Sequence, residues 1–587
     1  MSFLRENVDE RTSLLTSRRS IFSTTRDCNI KEILVRRIPI LNWLRLYSLG
    51  KCLQDILAGF TVGLTVIPQG IAYATVAGLP PQYGLYSSFM GCFVYLVFGS
   101  TKEVTVGPTA IMALLSQHHV VKLGEDIAVL ICFLSGCVIT AMGIFQLGFL
   151  VDFISMPVIS GFSNAAAIII AASQLGKLLG IEGRSDSFVD SIGQIIDRYD
   201  RITLWDTLLG VITIILLVCL KNLPGKKKGT TLEKMMWLAC LARNAVVVVM
   251  GTVLAFVLSL YDLKPFMITG KITEGLPPFR PPPFSLDTGN KTYYFPELIE
   301  ELGGSIVSIP AIAILESVAI AKAFAKGKTL DATQEMLAVG LCNVIGSFVR
   351  SMPTTGSFTR TAVNNASGVK TPMGGIITGL LVLLACGLLT STFKFIPKAT
   401  LAAVIIIAMY YMFEVDVFST LWRTKRIDIV PLMVTLICCL ALSLEYGMIA
   451  GIAINLIHLL YFTARPGLLI EERAFVDDNI TVIFVLPKQS LSFPAAEYLR
   501  EQVMEWCDRC PENLPVIIEG RNVLRIDSTV AKNLALLHID LEARQQKLIF
   551  WNWSEKLQNI LTNYDSSLSL SFNNCGSIPQ ILMNSSV

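Results

Sequence analysis

Charge is scarce in this sequence. Only 16% of its 587 residues are Asp, Glu, Lys or Arg, 53% are apolar, and the mean hydropathy is +0.59. A water-soluble globular chain does not tolerate that balance, so the protein is read as a membrane protein. The 48 Lys and Arg nearly match the 45 Asp and Glu, so no polybasic surface points to nucleic acid as a partner. Histidine is rarer still, with four in the chain and no HExxH pattern; the pair His118-His119 at a segment end is expected to face solvent, and no metal or cofactor is assigned. Gly327-Lys328-Thr329 has the end of a phosphate loop, but Lys322 stands where that loop needs glycine, so ATP-driven pumping is not signalled. Fourteen cysteines lie mostly singly within apolar runs, with none in the polar stretch 262–297, which excludes a disulfide framework and makes them packing residues. Cys507-Asp-Arg-Cys510 has no second pair and reads as a surface coincidence on a helix end. No enzymatic activity is expected.

What the chain has in abundance is long apolar runs. They recur at about 54–75, 83–99, 106–117, 126–148, 153–178, 203–220 and 235–261, and then, after a 36-residue polar loop, at about 298–325, 332–349, 357–367, 373–390, 395–413, 428–445 and 447–463. Fourteen spans of about 20 residues would use roughly 280 residues, about half the chain. The expected fold is therefore an α-helical polytopic membrane protein of two seven-segment series, with a soluble remainder. Residues 1–51 carry ten Lys or Arg and lack the central apolar run of a signal peptide, so the N-terminus is expected in the cytosol. Counting loops from there places Lys221, Lys226–Lys228, Lys234, Lys326, Lys328, Arg423, Lys425 and Arg426 inside, as the positive-inside bias requires. The loop 262–297 then lies outside and offers Asn290 as a glycosylation acceptor, while the sequons at Asn365, Asn479 and Asn552 should be silent.

The third segment of each series is anomalous. One opens with Val106-Gly107-Pro108-Thr109, the other follows Pro353-Thr-Thr-Gly356-Ser357, and both are too short and interrupted to cross about 30 Å of hydrocarbon alone. Seven plus seven spans give the two series opposite orientations, and broken segments at matched positions point to an inverted-repeat transporter with substrate between them. Two ionisable groups stand out at depth, Glu316 in the eighth span and Arg360 in the tenth. Each costs about 2.5–3.5 kcal/mol at the bilayer centre, so each should face a polar cavity or a partner, the alternative being a structural Glu316–Arg360 ion pair. Two half-helix N-termini contribute about +1 and Arg360 raises that to about +2, which suits an anion. An ionised Glu316 lowers the sum to about +1, suited to chloride or bicarbonate; a protonated one leaves it suited to a dianion such as sulfate.

From about 479 the composition changes. Strands are expected at Ile480–Leu486, Val516–Glu519, Val523–Ile526 and Lys547–Trp551, and helices at Ala495–Cys507 and Val530–Ala543, giving a small cytosolic α/β domain.

Pro68-Gln69-Gly-Ile-Ala-Tyr73, Ala77-Gly-Leu-Pro-Pro81-Gln-Tyr-Gly-Leu-Tyr-Ser-Ser88 and Val104-Thr-Val-Gly-Pro108 resemble the signature of the SulP, or solute carrier 26, anion transporters. The likeness continues through Asp331-Ala-Thr-Gln-Glu335, Gly340-Leu-Cys-Asn343, Gly346-Ser347 and the arginine-bearing tenth segment, and covers about residues 33–587; Arg360–Asn364 and Leu315-Glu-Ser317 look most like the sodium-independent sulfate branch. The resemblance implies two inverted repeats arranged as core and gate domains over about 54–261 and 298–463, a transporter domain at 52–464, and a C-terminal STAS domain in 465–587. It implies an anion held between the third and tenth segments by Gln69, Tyr73, Pro108, Thr109, Phe358, Thr359 and Arg360, with Glu316 at the position of the carboxylate of proton-coupled members. It also implies a homodimer that carries sulfate, chloride, bicarbonate or oxalate, the other use of the scaffold being a channel or a voltage-sensitive motor. Ser528 sits where bacterial STAS regulators carry a phosphorylatable serine, and is read here as a helix cap. Glu10-Arg-Thr-Ser-Leu14-Leu15 fits an acidic dileucine sorting pattern, which sets the lysosomal membrane beside the plasma membrane.

Overall fold

A long apolar run in lipid must satisfy its own backbone hydrogen bonds, and the helix is the way a single segment does so. In the computed structural model fourteen helices answer to the fourteen segments, all but the tenth apolar, among the described residues, which are 37–573 apart from 182–187, 223–232, 234–235, 238, 241, 264, 270–274, 288–290, 326–329, 390–392, 476–479 and 511–513. We number them α1 Leu49–Val76, α2 Pro81–Phe98, α3 Ala110–Leu123, α4 Asp126–Ile144, α5 Met156–Leu178, α6 Leu204–Lys221, α7 Arg243–Leu260, α8 Ser305–Phe324, α9 Ala332–Ser347, α10 Phe358–Ser367, α11 Gly374–Leu384, α12 Lys398–Met412, α13 Ile429–Ala441 and α14 Leu444–Ala464. Eight helices of this region are long and apolar enough to cross a bilayer on length and composition. By contrast α3 and α10, with 14 and 10 residues, reach only about 21 Å and 15 Å at 1.5 Å per residue.

The packing repeats with a period of seven helices. α4 lies along α9, and its counterpart pair, α11 and α2, also packs; α1 lies on α11 as α8 lies on α4. α5 packs on its own counterpart α12. The two-residue strands β1 (Val106–Gly107) and β2 (Thr355–Gly356), each leading into a half-helix, pair antiparallel across the pseudo-symmetry, Val106 opposite Gly356 and Gly107 opposite Thr355. The chain is thus two inverted seven-helix repeats. Helices α1–α4 and α8–α11 make one group and α5–α7 with α12 and α13 the other; α1 touches both.

Two backbone breaks shape the elements around the site. Pro68 inside α1 has no N–H for the Leu64 carbonyl. The following Gly70 crosses Gly84 of α2 so closely that a Cβ on Gly84 would stand 1.9 Å from the Gly70 oxygen. The eighth span, expected as one run, is instead a short helix Phe295–Leu302 followed by α8, because Gly303 takes a positive φ of 48° and ends the first piece.

The division into two compact units falls between Gly451 and Ile452. In the second, a five-stranded sheet of order β3 (Leu468–Phe475), β4 (Ile480–Pro487), β5 (Val516–Glu519), β6 (Leu548–Trp551) and β7 (Phe572–Asn573) is antiparallel at β3–β4 and parallel thereafter. Helices α15 (Ala496–Arg509), α16 (Ser528–Ala543) and α17 (Glu555–Tyr564) accompany it. Ile483, Val485, Ile518 and Phe550 meet Leu499, Val503, Leu534 and Leu537 in one core, and Val482, Phe484, Ile517 and Ile549 form another.

Four expectations are corrected here. Residues 523–526 form no strand: Val523 is buried but the segment has no ladder partner and runs as a loop into α16. The cap of α16 is Asp527, whose carboxylate accepts from the Val530 N–H at 3.0 Å and the Phe493 N–H at 2.6 Å, while Ser528 is exposed. Cys507 is not a surface residue but part of the domain core, and Cys510 donates its thiol hydrogen to Glu472 at 2.9 Å. Of the histidine pair only His118 is exposed; His119 is buried with Nε2 2.9 Å from Ser305 Oγ, joining α3 to the start of α8.

Candidate functional site

The half-helices α3 and α10 meet where their leading strands pair. The Ser357 N–H donates to the Thr105 carbonyl (3.1 Å), and the Thr105 N–H to Thr361 Oγ1 (3.3 Å), so the residue that leads into β1 is tied twice to the first turn of α10. Polar side chains of neighbouring helices fix the loops that lead in. Asn343 of α9 accepts from the Thr354 N–H at 2.7 Å and donates to its carbonyl at 2.8 Å; Asn364 of α10 donates to the Glu103 carbonyl at 2.9 Å; Thr355 donates to the Ala313 carbonyl at 2.6 Å. Each of these closes a backbone group that would otherwise be unpaired in a low-dielectric interior.

Arg360 is the third residue of α10 and is 1% exposed. Its Nη2 donates to the Pro108 carbonyl at 2.8 Å, across the two half-helices. Its Nε and Nη1 are buried and have no hydrogen-bond partner in the protein, and among the described residues no carboxylate lies within ion-pair distance of it. The fit behind the guanidinium is close: a Cβ on Gly107 would stand 2.8 Å from Nη1. Glu316, half-buried on α8, accepts from the Thr109 hydroxyl at 3.3 Å, and the same hydroxyl caps α3 by accepting from the Met112 N–H at 3.4 Å. The alternative Glu316–Arg360 ion pair is therefore not formed; the carboxylate is fastened to the end of α3. Tyr73 of α1 is buried within Coulomb reach of both Arg360 and Glu316. Gln69 lies one turn earlier, on the same face of α1, with Oε1 buried and without a partner.

The structure thus brings Tyr73, Pro108, Thr109, Glu316 and Arg360 together, with Gln69 beside Tyr73 on α1. Thr359 is half-buried with Oγ1 3.3 Å from Ser357 Oγ. Phe358 is 42% exposed and rests its ring on Phe324 at 5.4 Å. Asn290, Glu10, Leu14 and Leu15 lie outside the described residues. Sequence reasoning saw Gly107 only as a break and gave no part in the site to the braces Asn343 and Asn364, or to Ser317, whose buried hydroxyl has no partner and packs against Gly356. It also passed over two fully buried carboxylates. Glu335 is held by Tyr95, Thr101 and both the hydroxyl and N–H of Ser100; Asp55 accepts from Lys370 N, Thr371 N and Thr371 Oγ1. Among the described residues no group of three His, Cys, Asp or Glu converges as metal ligands.

Two matched repeats whose broken helices converge on a buried, incompletely bonded cation form the architecture of a secondary transporter. The chain belongs to the sulfate permease family, whose model matches residues 53–435. It is 40% identical over 555 residues to the sodium-independent sulfate anion transporter of Bos taurus, covering 93% of this chain and 91% of that one. It is 31% identical over 556 residues to the chloroplastic sulfate transporter 4.1 of Arabidopsis thaliana, covering 88% and 77%. Among solved structures it is similar to the murine solute carrier 26 family member A9 anion transporter in its inward-facing state, with a TM-score of 0.83 over 98% of each chain; at 20% identity that likeness concerns the fold.

Proposed function

We propose that the protein moves sulfate and other small anions, among them chloride, bicarbonate and oxalate, by alternating access, as sodium-independent exchange or proton-coupled transport. The observation that carries this reading is Arg360: a fully buried guanidinium, two of whose nitrogens have no protein partner, at the junction of two half-helix N-termini. A buried cation without a counter-charge is expensive, and a bound anion relieves it. Gln69, Tyr73, Thr109 and Thr359 supply further polar contacts to the anion, with Pro108 and Phe358 lining the site. Glu316 tunes the charge: fastened to Thr109 at the cap of α3, it lowers the local positive sum by one when ionised and restores it when protonated, so that a proton accompanies a dianion.

The name of the 40% identical relative, a sodium-independent sulfate anion transporter, supports sulfate as the substrate. On this reading residues 52–464 are the transporter domain, 465–587 a cytosolic STAS region, and 1–51 a cytosolic segment carrying the Glu10, Leu14 and Leu15 sorting signal. Asn290 is glycosylated outside, the chain works as a homodimer, and it resides in the plasma or lysosomal membrane. The test is uptake of radiolabelled sulfate into proteoliposomes with pH and chloride varied on each side. Saturable, sodium-independent uptake that depends on the opposing anion or on protons supports the proposal; a non-saturating anion conductance, or no flux at all, would replace it with a channel or a voltage-sensitive motor on the same scaffold.

A further inference from the structure

The chain between α12 and α13 folds as a short helix, Asp416–Thr424, and a single tight turn, Arg426–Asp428, and no residue of either is buried. Successive helical residues are about 100° apart, which puts Val417, Phe418, Leu421 and Trp422 on one side of the helix and the polar residues, Arg423 among them, on the other. Val417, Phe418 and Leu421 are half-buried, whereas Trp422 is 60% exposed. Val415 and Ile427 flank the helix and Val430 follows on α13, all three exposed. An amphipathic helix at the mouth of a span, with an uncovered indole on its apolar side, suits the interface between headgroups and acyl chains.

The charges are arranged to match. Arg426 stands over the Trp422 ring, Cζ 5.1 Å from its centroid, which keeps the guanidinium beside the apolar side. Among the described residues neither Arg423 nor Arg426 lies within ion-pair distance of a carboxylate. The acids of the segment are engaged elsewhere or distant. Glu414 accepts from Ser160 Oγ at 3.0 Å, and Asp428 lies 3.8 Å from Lys425 Nζ. Asp416 opens the helix, about 10 Å along its axis from Arg423.

We propose that this turn is a binding surface for anionic phospholipid of the cytosolic leaflet: Arg423 and Arg426 hold the headgroup phosphate while Trp422 and Ile427 enter the top of the acyl region. The inference rests on the topology proposed above, which puts the turn inside. A planar guanidinium fork suits a phosphate, and the cytosolic leaflet carries the negative charge that the two arginines lack. A free anion would leave the apolar side uncovered; an amphiphile satisfies both. A headgroup held here fixes α12 and α13 at the interface, and with them α5, on which both pack.

The experiment uses the full-length protein in phosphatidylcholine nanodiscs carrying a minor share of phosphatidylserine or of phosphatidylcholine brominated near the top of its acyl chains. Bromine quenches tryptophan on contact, and subtracting the signal of the Trp422→Phe protein isolates Trp422 among the seven tryptophans of the chain. Brominated phosphatidylserine should quench Trp422 roughly fivefold to thirtyfold more effectively than brominated phosphatidylcholine, and Arg423→Gln with Arg426→Gln should remove that preference. Arg509→Gln with Arg544→Gln, which takes two charges from the second unit where they pair with Glu505 and Asp508, should keep it. Equal quenching of the wild type by the two lipids, a preference that survives without Arg423 and Arg426 or is lost in both double variants, or its displacement by inorganic phosphate at constant ionic strength would overturn the lipid surface. Quenching by neither lipid would overturn it too, because protein would then cover Trp422. Sidedness is read separately in cells: a membrane-impermeant maleimide should label Ser419→Cys only once the plasma membrane is selectively permeabilised, with wild type as the control for native cysteines. Labelling of intact cells, or only after internal membranes are opened, would refute the topology and the cytosolic leaflet, while the nanodisc result decides the headgroup on its own.

Discussion

Gly107→Ala adds a single methyl group and leaves every charge in the protein in place, yet it should impair anion binding severely. The added Cβ would stand 2.8 Å from Arg360 Nη1 and 3.3 Å from its Cζ and Nη2. Ordinary contact begins near 3.4 Å, so the guanidinium must retreat by about 0.6 Å. It cannot do so freely, because Nη2 is held at 2.8 Å by the Pro108 carbonyl on the same strand-to-helix junction. If the retreat breaks that bond, a charged hydrogen bond worth about 1.5–3 kcal/mol is lost and the two orphan nitrogens are re-aimed. At about 1.4 kcal/mol per factor of ten, KM for sulfate should rise roughly tenfold to a hundredfold. The assay is sulfate uptake across a concentration series in proteoliposomes, normalised to the amount of protein inserted. Gly91→Ala is the control: its Cβ would press on Val106 at 3.2 Å, crowding the same strand without touching the arginine. It should lower thermal stability slightly and leave KM near wild type. Wild-type KM in Gly107→Ala, or an equal rise in both variants, would refute the claim that the position of the guanidinium determines anion affinity.

Arg360→Ala should abolish sulfate uptake while the protein still reaches the membrane, since a buried unpaired cation is removed rather than created; Arg360→Lys should be intermediate because a point charge lacks the planar fork that suits an oxyanion. Uptake at the wild-type rate in Arg360→Ala would disprove the site. Glu316→Gln keeps an oxygen acceptor for Thr109 and removes no ion pair, so sulfate exchange should survive and its stimulation by an inward proton gradient should vanish when uptake at an outside pH of about 5.5 is compared with about 7.5; undiminished stimulation rules out the coupling role. Deleting the C-terminal unit should reduce assembly or surface expression and leave the sulfate-to-chloride uptake ratio unchanged, provided the cut precedes β3. A cut at 479 leaves Leu468–Phe475 without its β4 partner, and that protein should aggregate more than one cut at 466 on size-exclusion chromatography.

What could be read from the sequence follows from how far apart the interacting groups lie. Breaks are local. Gly107-Pro108 and Pro353 to Gly356 interrupt apolar runs, so the two half-helices and their matched places in two repeats were visible before any coordinates, as was the isolation of Glu316 and Arg360 in otherwise apolar spans. Partners are not local. The Pro108 carbonyl that receives Arg360 is 252 residues away, and the Thr109 hydroxyl that receives Glu316 is 207 away. Charge complementarity alone offers a pair between the two ionisable groups, and that alternative fails because an alcohol on one half-helix and a carbonyl beside it are nearer.

The same distinction explains the other differences. Glu335 and Asp55 sit close to segment ends, where an acid normally meets water, and only the assembled fold closes Tyr95, Ser100 and Thr101 around one and the Lys370–Thr371 turn over the other. Strand β3 was hidden because Glu471, Glu472 and Arg473 interrupt its apolar residues, which an edge strand with one solvated face can afford. Val523–Ile526 shows the converse, since apolar residues without a neighbouring strand to pair with make a loop that buries Val523 and leaves Leu524 exposed. Gly107 is the most instructive position. In the sequence it is one more helix-breaking residue beside a proline, and its break was read as its whole meaning. Its second duty, leaving room for a guanidinium supplied from the other repeat, is a property of the gap between two chain segments. A gap of that kind has no composition or periodicity of its own, so it becomes visible only when both sides are in place.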